Sequence, residues 1–186
     1  MRLFVAIDLR DEARAAIAAE QRRSVARLDP RRRVTIVRAE RMHLTLVFIG
    51  EVDEARGVAI AGQMARDIDQ PPFDLVFGGI GVFPPRGAPR VLWLGVSSGA
   101  ELAIDLQRRV SGRLEAAGVE PERRPFSPHL TLGRWRESRP SDARRVVEPA
   151  NAAVATVRVR EVTLYESRLS SKGPTHTSLA RARLAG

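Results

Sequence analysis

The tetrapeptide His-Leu-Thr-Leu occurs twice in this 186-residue chain, at positions 43–46 and 129–132. The two copies contain two of the three histidines in the sequence. Because strand side chains alternate between faces, the histidine and threonine of each copy share one face and the leucines share the other. If the two strands lie side by side, His43 and His129 share one pocket. Such a pair supplies a proton acceptor and a proton donor in one place, as general acid–base chemistry requires.

The surroundings of the second copy favour a phosphate-binding role for one arginine. The run Pro125-Phe126-Ser127-Pro128 forces an extended approach to the strand, because a residue before proline avoids the helical region. Arg134 lies five residues after His129, where the end of the strand can direct its guanidinium into the same pocket. By position alone it is equally well one more surface arginine. In the first copy Gly50 stands near the point that corresponds to Gly133, but the next residue is Glu51, so the two copies are not chemically symmetric.

The duplication extends to the elements that must position these residues. Hydrophobic patterns predict a similar order of strands and helices in the two halves. The first half has strands at 3–7, 34–37 and 43–50 and strand material at 73–77 and 80–83, with helices at 11–28, which Pro30 should stop, and 53–68. The second half has strands at 91–96 and 154–165 and the second motif strand at 129–132. It also has a helix at 101–117 with Leu102, Leu106, Val110 and Leu114 on one stripe, and a short helix at 141–147.

This repeated order predicts one α+β domain over residues 1–186, with an internal repeat of approximately 1–90 and 91–186. Two similar lobes related by a pseudo-twofold axis should result, and the axis should carry His43 and His129 into facing positions. We expect a monomer, because the two lobes are already joined in one chain.

Composition predicts a soluble globular protein of the cytoplasm. Hydrophobic residues make up 44% of the chain and charged residues 28%, which suits a packed core. The longest apolar run, at 44–49, is far too short to cross a bilayer, and Asp8 interrupts the N-terminal apolar stretch where a signal peptide would continue. There is no cysteine, so disulfides and thiolate metal sites are excluded.

The chain is strongly basic, with a net charge of +9. Of its 31 basic residues only Lys172 is a lysine. The planar arginine fork matches phosphate, so an anionic partner is one interpretation. A general preference for arginine and alanine is the other, and charge alone does not separate them.

Several other kinds of site are disfavoured by the residues present. There is no Gly-x-x-x-x-Gly-Lys phosphate loop, and a ligase working through a lysyl adenylate would depend on Lys172 alone. The three histidines lack the spacing of metal ligands, and no carboxylate cluster accompanies them, so no metal is expected. Ser127 adjoins the second motif but lacks a nucleophile elbow and a third orienting group.

At this point the chain resembles the 2H phosphoesterase superfamily, specifically the LigT/ThpR-like RNA 2′,3′-cyclic phosphodiesterases, historically called 2′-5′ RNA ligases. The resemblance covers nearly the whole chain. It includes the opening Arg-Leu-Phe-Val-Ala-Ile-Asp at 2–8, both motif segments at 42–52 and 126–134, and the tail at 164–174. The chain departs from the family at Ile36 and Ala39, where the family often has tryptophan and proline, and at His176, where it often has tyrosine. His176 is either an extra imidazole near the cleft or a surface strand residue.

The resemblance implies a LigT-like fold, in which two mainly antiparallel sheets with outer helices enclose a central cleft. It also implies cofactor-independent and metal-independent hydrolysis of RNA 2′,3′-cyclic phosphate ends to 2′-phosphates. His43 is then the proton donor to the leaving 3′-oxygen and His129 the proton acceptor from water, although the sequence leaves this order open. Thr45 and Thr131 share the faces of the histidines and can bind non-bridging phosphate oxygens, with Arg134 offsetting negative charge.

The substrate implied is an RNA with a 2′,3′-cyclic phosphate end, such as a tRNA fragment or another oligonucleotide, with no obligatory protein partner. ATP-independent 2′-5′ ligation, the reverse type of reaction, is left open. The alternative from another class is a non-catalytic, basic RNA-binding module that uses arginines on phosphates and exposed aromatic rings for stacking. We expect its candidate aromatic residues to lie mostly in the core or pocket wall instead; they are Phe48, Phe83, Phe126 and Trp135.

Overall fold

The computed structural model describes residues 1–29, 31, 34–120, 122, 124–150, 152–171 and 173–186. The predicted helix stop at Pro30 and the single lysine, Lys172, lie outside the described residues. The strands are β1 Arg2–Asp8, β2 Val34–Ile36, β3 His43–Glu51, β4 Phe73–Phe83, β5 Val91–Ser98, β6 His129–Trp135, β7 Ala155–Val159, β8 Glu161–Arg168 and β9 Thr175–Arg183. The helices are α1 Asp11–Val25, α2 Glu54–Met64, α3 Ala100–Ala116 and α4 Pro140–Val146, with a 3₁₀ turn at Ala39–Arg41.

The strands form two sheets in which neighbouring strands run antiparallel. One sheet has the order β3-β1-β8-β9 and the other the order β2-β6-β5-β4-β7. Each motif strand lies beside the first strand of its own half, β3 beside β1 and β6 beside β5. The expected α+β class with two antiparallel sheets is confirmed.

Each sheet contains strands from both halves of the sequence. β8, from the second half, pairs with β1, and β4, from the first half, pairs with β5. The two strands therefore occupy corresponding places in opposite sheets. This exchange joins the two halves of the sequence through hydrogen-bonded strand pairs within each sheet.

The segment 154–165, predicted as one strand, is two strands in different sheets. Val157 and Val159 are buried in β7, whereas Val162 and Leu164 are buried in β8. The buried positions change from odd to even numbers around Arg160, so an unbroken strand would turn one of the two apolar pairs away from the core. The prediction of a single strand was wrong for this reason.

The predicted apolar stripe of α3 is correct except at its N-terminal end. Leu106, Val110 and Leu114 are buried, but Leu102 is 44% exposed and Ala103 is fully buried instead. Residues four apart drift around a helix of 3.6 residues per turn, so the stripe shifts by one position over three turns. In the described part of the chain we find no helix with the length and apolar character needed to span a bilayer.

Candidate active site

The two motif strands contact each other where the sheets meet. In β3, His43 lies opposite Asp8 of β1, and in β6, His129 lies opposite Gly95 of β5. The two histidines therefore open equivalent strands at equivalent register positions. We call the face of each strand that carries its histidine and threonine the motif face; Thr45 and Thr131 are half-buried.

Both motif strands contain a β-bulge directly after the threonine. Thr45 and Val47 lie opposite consecutive residues of β1, so Leu46 is an extra residue. In β6, Thr131 and Gly133 lie in the same way opposite consecutive residues of β5. The extra residue shifts the alternation of side chains by one position in each strand.

The bulges bring Arg134 and Phe48 onto the motif faces. Arg134 is five residues after His129, an odd separation that an unbroken strand would place on the core face. With the bulge, Arg134 follows two consecutive buried residues and is exposed, and Phe48 in β3 is 69% exposed after the same pattern. Phe48 therefore lies outside the core, because the bulge shifts the alternation that periodicity alone predicts.

The His129 imidazole is oriented by the chain just before it. Its Nδ1 lies 2.7 Å from the Ser127 carbonyl oxygen. A carbonyl only accepts hydrogen bonds, so Nδ1 donates and Nε2 is left for chemistry. Phe83 meets the imidazole edge-on at 5.0 Å between ring centroids, and Trp93 lies at 6.2 Å.

A glycine makes room for the tryptophan beside His129. A Cβ on Gly81 would lie 2.1 Å from the Trp93 ring, so no other residue fits at this position without moving the indole. Gly81 lies opposite Trp93 across β4 and β5. The packing of Trp93 against His129 thus depends on this close approach.

The His43 imidazole lies in a second aromatic cluster. Phe4 stacks on it with ring centroids 4.9 Å apart, and His176 meets it edge-on at 5.4 Å. Burial and the His176 charge lower the pKa of His43 to about 4, although a hydrogen bond to the Arg41 backbone acts to raise it. Of the two positions left open for His176, near the cleft or on the surface, the structure shows the first, beside His43. The sequence signal for this residue was the histidine at a position where the family often has tyrosine.

A carboxylate lies next to His43, whereas the charge that acts on His129 among the described residues is that of Arg134. Asp8 accepts hydrogen bonds from the Thr163 and Tyr165 hydroxyls, each at 2.7 Å. Its charge acts to raise the pKa of His43. Burial and the hydrogen bond to Asp8 raise the pKa of Tyr165 to about 12, so this donor keeps its proton. Asp8 was not among the site residues predicted from the sequence, since a carboxylate at a strand end is common.

The other two histidines also have lowered pKa values. Burial lowers the pKa of His129, and the Arg134 charge lowers it further, while the hydrogen bond to Ser127 acts in the opposite direction. Burial and the nearby Arg41 lower the pKa of His176. All three imidazoles are therefore mainly neutral at pH 7 in the free protein. Within the described ranges, no group of three or more His, Cys, Asp or Glu side chains is arranged to hold a metal ion.

Comparisons with known proteins match nearly the whole chain. The model of the 2′-5′ RNA ligase superfamily matches residues 9–170. The RNA 2′,3′-cyclic phosphodiesterase of Archaeoglobus fulgidus is 34% identical over 96% of this chain and 98% of its own length. That of Methanothermobacter thermautotrophicus is 36% identical over 99% of each. The crystal structure of E. coli LigT complexed with 3′-AMP matches with a TM-score of 0.78 and 31% identity, covering 100% of this chain and 98% of that one.

Proposed function

The chain belongs to the 2′-5′ RNA ligase superfamily, and from that membership we propose that it is an RNA 2′,3′-cyclic phosphodiesterase that hydrolyses cyclic ends to 2′-phosphates. The observation that carries the proposal is the pair of equivalent motif strands in contact, each with an imidazole that is hydrogen-bonded to a backbone group. Two such imidazoles supply the acid and the base of the reaction without a metal or cofactor.

In the proposed mechanism, His129 takes a proton from water as the water attacks phosphorus. The bond from phosphorus to the 3′-oxygen breaks, and His43 gives its proton to that oxygen. The fixed charges support this order, because Asp8 acts to raise the pKa of His43 and Arg134 acts to lower that of His129. Burial and His176 oppose the protonation of His43 in the empty site, so the anionic substrate is needed to raise its pKa on binding.

Arg134, Thr45 and Thr131 bind the phosphate in this proposal. The threonine hydroxyls lie on the motif faces and can donate to the non-bridging oxygens. The Arg134 guanidinium can donate two parallel hydrogen bonds to the same group and offset charge that builds up in the transition state. The position of Arg134 beside His129 suits binding at the side where water attacks.

Phe48 is the proposed contact for the terminal nucleobase. It occupies in β3 the place that Arg134 occupies in β6, and its ring is 69% exposed next to the aromatic cluster around His43. Its centroid lies 6.2 Å from that of Phe4, which stacks on His43. Stacking on an exposed ring tolerates any base, which suits an enzyme acting on RNA ends of varied sequence.

The same site could join ends without ATP. If the 5′-hydroxyl of a second RNA replaces water, His129 takes its proton and His43 again protonates the 3′-oxygen. The product is a 2′-5′ linkage, and the energy of the strained cyclic phosphate drives the reaction. We propose hydrolysis as the main activity, since water needs no second binding surface.

The direct test incubates an oligonucleotide ending in 2′,3′-cyclic phosphate with the protein in the presence of EDTA. We expect opening to a 2′-phosphate, identified by phosphorus NMR. His43→Ala and His129→Ala should each lower kcat by at least roughly 10²-fold, because general acid or base catalysis contributes that much. Melting curves establish that the variants are folded.

Two outcomes would contradict the proposal. Near-normal turnover by either histidine variant would remove the two-histidine mechanism. Binding of the oligonucleotide without turnover by the unaltered protein would favour the alternative, a non-catalytic RNA-binding module.

A further inference from the structure

A buried glutamine on α1 is bonded to the bulge of β6. Gln21 is 5% exposed, and its Nε2 donates to the Leu132 carbonyl oxygen at 2.7 Å and to the Val37 carbonyl oxygen at 2.7 Å. Leu132 is the extra residue that forms the bulge between Thr131 and Gly133. A single side-chain amide thus joins the helix to the one irregular point of this motif strand.

The Leu132 carbonyl receives a second donor from the backbone. The Val37 N–H, just past β2, donates to the same oxygen at 2.9 Å. A bulge disrupts the regular ladder at its extra residue, so its backbone groups need other partners. Without the Gln21 amide, the Leu132 carbonyl would lose one of its two donors and the Val37 carbonyl would lose the donor from Gln21. The unsatisfied carbonyls would favour a change in the backbone conformation at the bulge.

The bulge determines where Arg134 points. An unbroken strand would direct the side chain five residues after His129 toward the core, and the extra residue directs it to the motif face instead. We propose that Gln21 is a positioning residue that holds the phosphate-binding Arg134 in place through the Leu132 carbonyl. The inference rests on the proposed function, and it assigns a role to a residue more than a hundred positions away in sequence.

A double-mutant cycle tests the proposal. Gln21→Met keeps the length of the side chain and removes both donated hydrogen bonds. The matched control is Gln70→Met, since Gln70 is 4% exposed and its Nε2 donates to the Leu102 carbonyl oxygen at 3.0 Å, away from the motif strands. Each change is made in the unaltered protein and in an Arg134→Ala background.

Two quantities are measured in each protein: kcat/KM on the cyclic-phosphate oligonucleotide, and the Kd of adenosine 2′-phosphate, the kind of product that the proposed reaction would release. We expect Gln21→Met to lower kcat/KM about 10-fold, mainly through KM, and to weaken product binding similarly. In the Arg134→Ala background its further effect on product binding should be less than about twofold, because residues that act together are not additive.

Equal losses from Gln21→Met in both backgrounds, or no loss in the unaltered protein, would overturn the proposal. So would a matching loss from Gln70→Met, because the effect would then be general destabilisation. If Gln21→Met does not fold, Gln21→Glu replaces it, because the glutamate side chain keeps the shape of glutamine and has one hydrogen-bond donor when protonated. The ratio of its kcat/KM to that of the unaltered protein should fall as pH rises and the donor is lost. A ratio that does not change with pH would count against the proposal. Failure of the unaltered protein to open the cyclic phosphate would instead reject the proposed function.

Discussion

At the scale of single residues, two identical tetrapeptides become chemically different through their neighbours. His43 lies opposite Asp8 and close to His176, whereas His129 lies opposite Gly95 and close to Arg134. The motif residues themselves are the same in both strands. The assignment of acid and base therefore depends on residues outside the two tetrapeptides.

Replacing Phe48 with alanine tests the stacking role at this scale. We expect kcat/KM to fall about 10-fold, mainly through KM, because stacking of one base on an aromatic ring contributes about 1–3 kcal/mol. Val58→Ala is the matched control, since Val58 is 67% exposed on α2. On a substrate whose terminal nucleotide is abasic, the unaltered protein and the Phe48 variant should have the same kcat/KM, because there is no base to stack. An undiminished difference on that substrate would show that Phe48 acts in another way.

Replacing Asp8 with asparagine tests its effect on His43. The carboxylate acts to raise the pKa of His43, so its removal should lower that pKa further and lower kcat, because less of the acid is protonated. NMR titration of the histidine C–H signals measures this directly. Asp105→Asn, on the exposed side of α3 next to Arg108, should leave His43 unchanged. A shift of the His129 pKa equal to that of His43 would contradict a local effect of Asp8.

At the scale of elements, the sequence predicts the motif strands and their faces but not their bulges. The alternation in each His-Leu-Thr-Leu is local, so the shared face of His43 and Thr45 follows from it. A bulge depends on which strand pairs alongside, and the exposure of Phe48 could not be predicted without it. The local sequence pattern also does not indicate which strands pair with each other. The exchange of β4 and β8 between the sheets was therefore not predicted.

The close approach of Gly81 in β4 to Trp93 in β5 can be tested by substitution. Gly81→Ala should displace Trp93 and with it the packing on His129, since the added Cβ would lie 2.1 Å from the ring. We expect a lower melting temperature and a kcat lowered by about 10-fold or more. Gly112→Ala is the control, because nothing lies within 4 Å of its Cβ on α3, and alanine in a helix should stabilise by about 0.5–1 kcal/mol. Full activity of the Gly81 variant would show that Trp93 does not position His129.

At the scale of the whole molecule, we infer from the exchanged strands that residues 1–186 form one bilobal unit. Separating the two halves of the sequence would break the pairing of β1 with β8 and of β4 with β5. The two motif strands are thus held by the pairs that form the core of each sheet. We infer that the site and the fold are lost together, as one cooperative transition.

The three lowered histidine pKa values predict how this unit responds to acid. The unfolded chain takes up a proton at each histidine near pH 6.5, whereas folded His43 does so only near pH 4. Between these values the unfolded state binds more protons, so the free energy of unfolding should fall as pH falls from about 6.5 to 4. For His43 alone the full shift corresponds to about 3 kcal/mol. Urea unfolding across this range measures the slope, which His43→Gln should reduce; an unchanged slope in that variant would mean that His43 is not the group responsible.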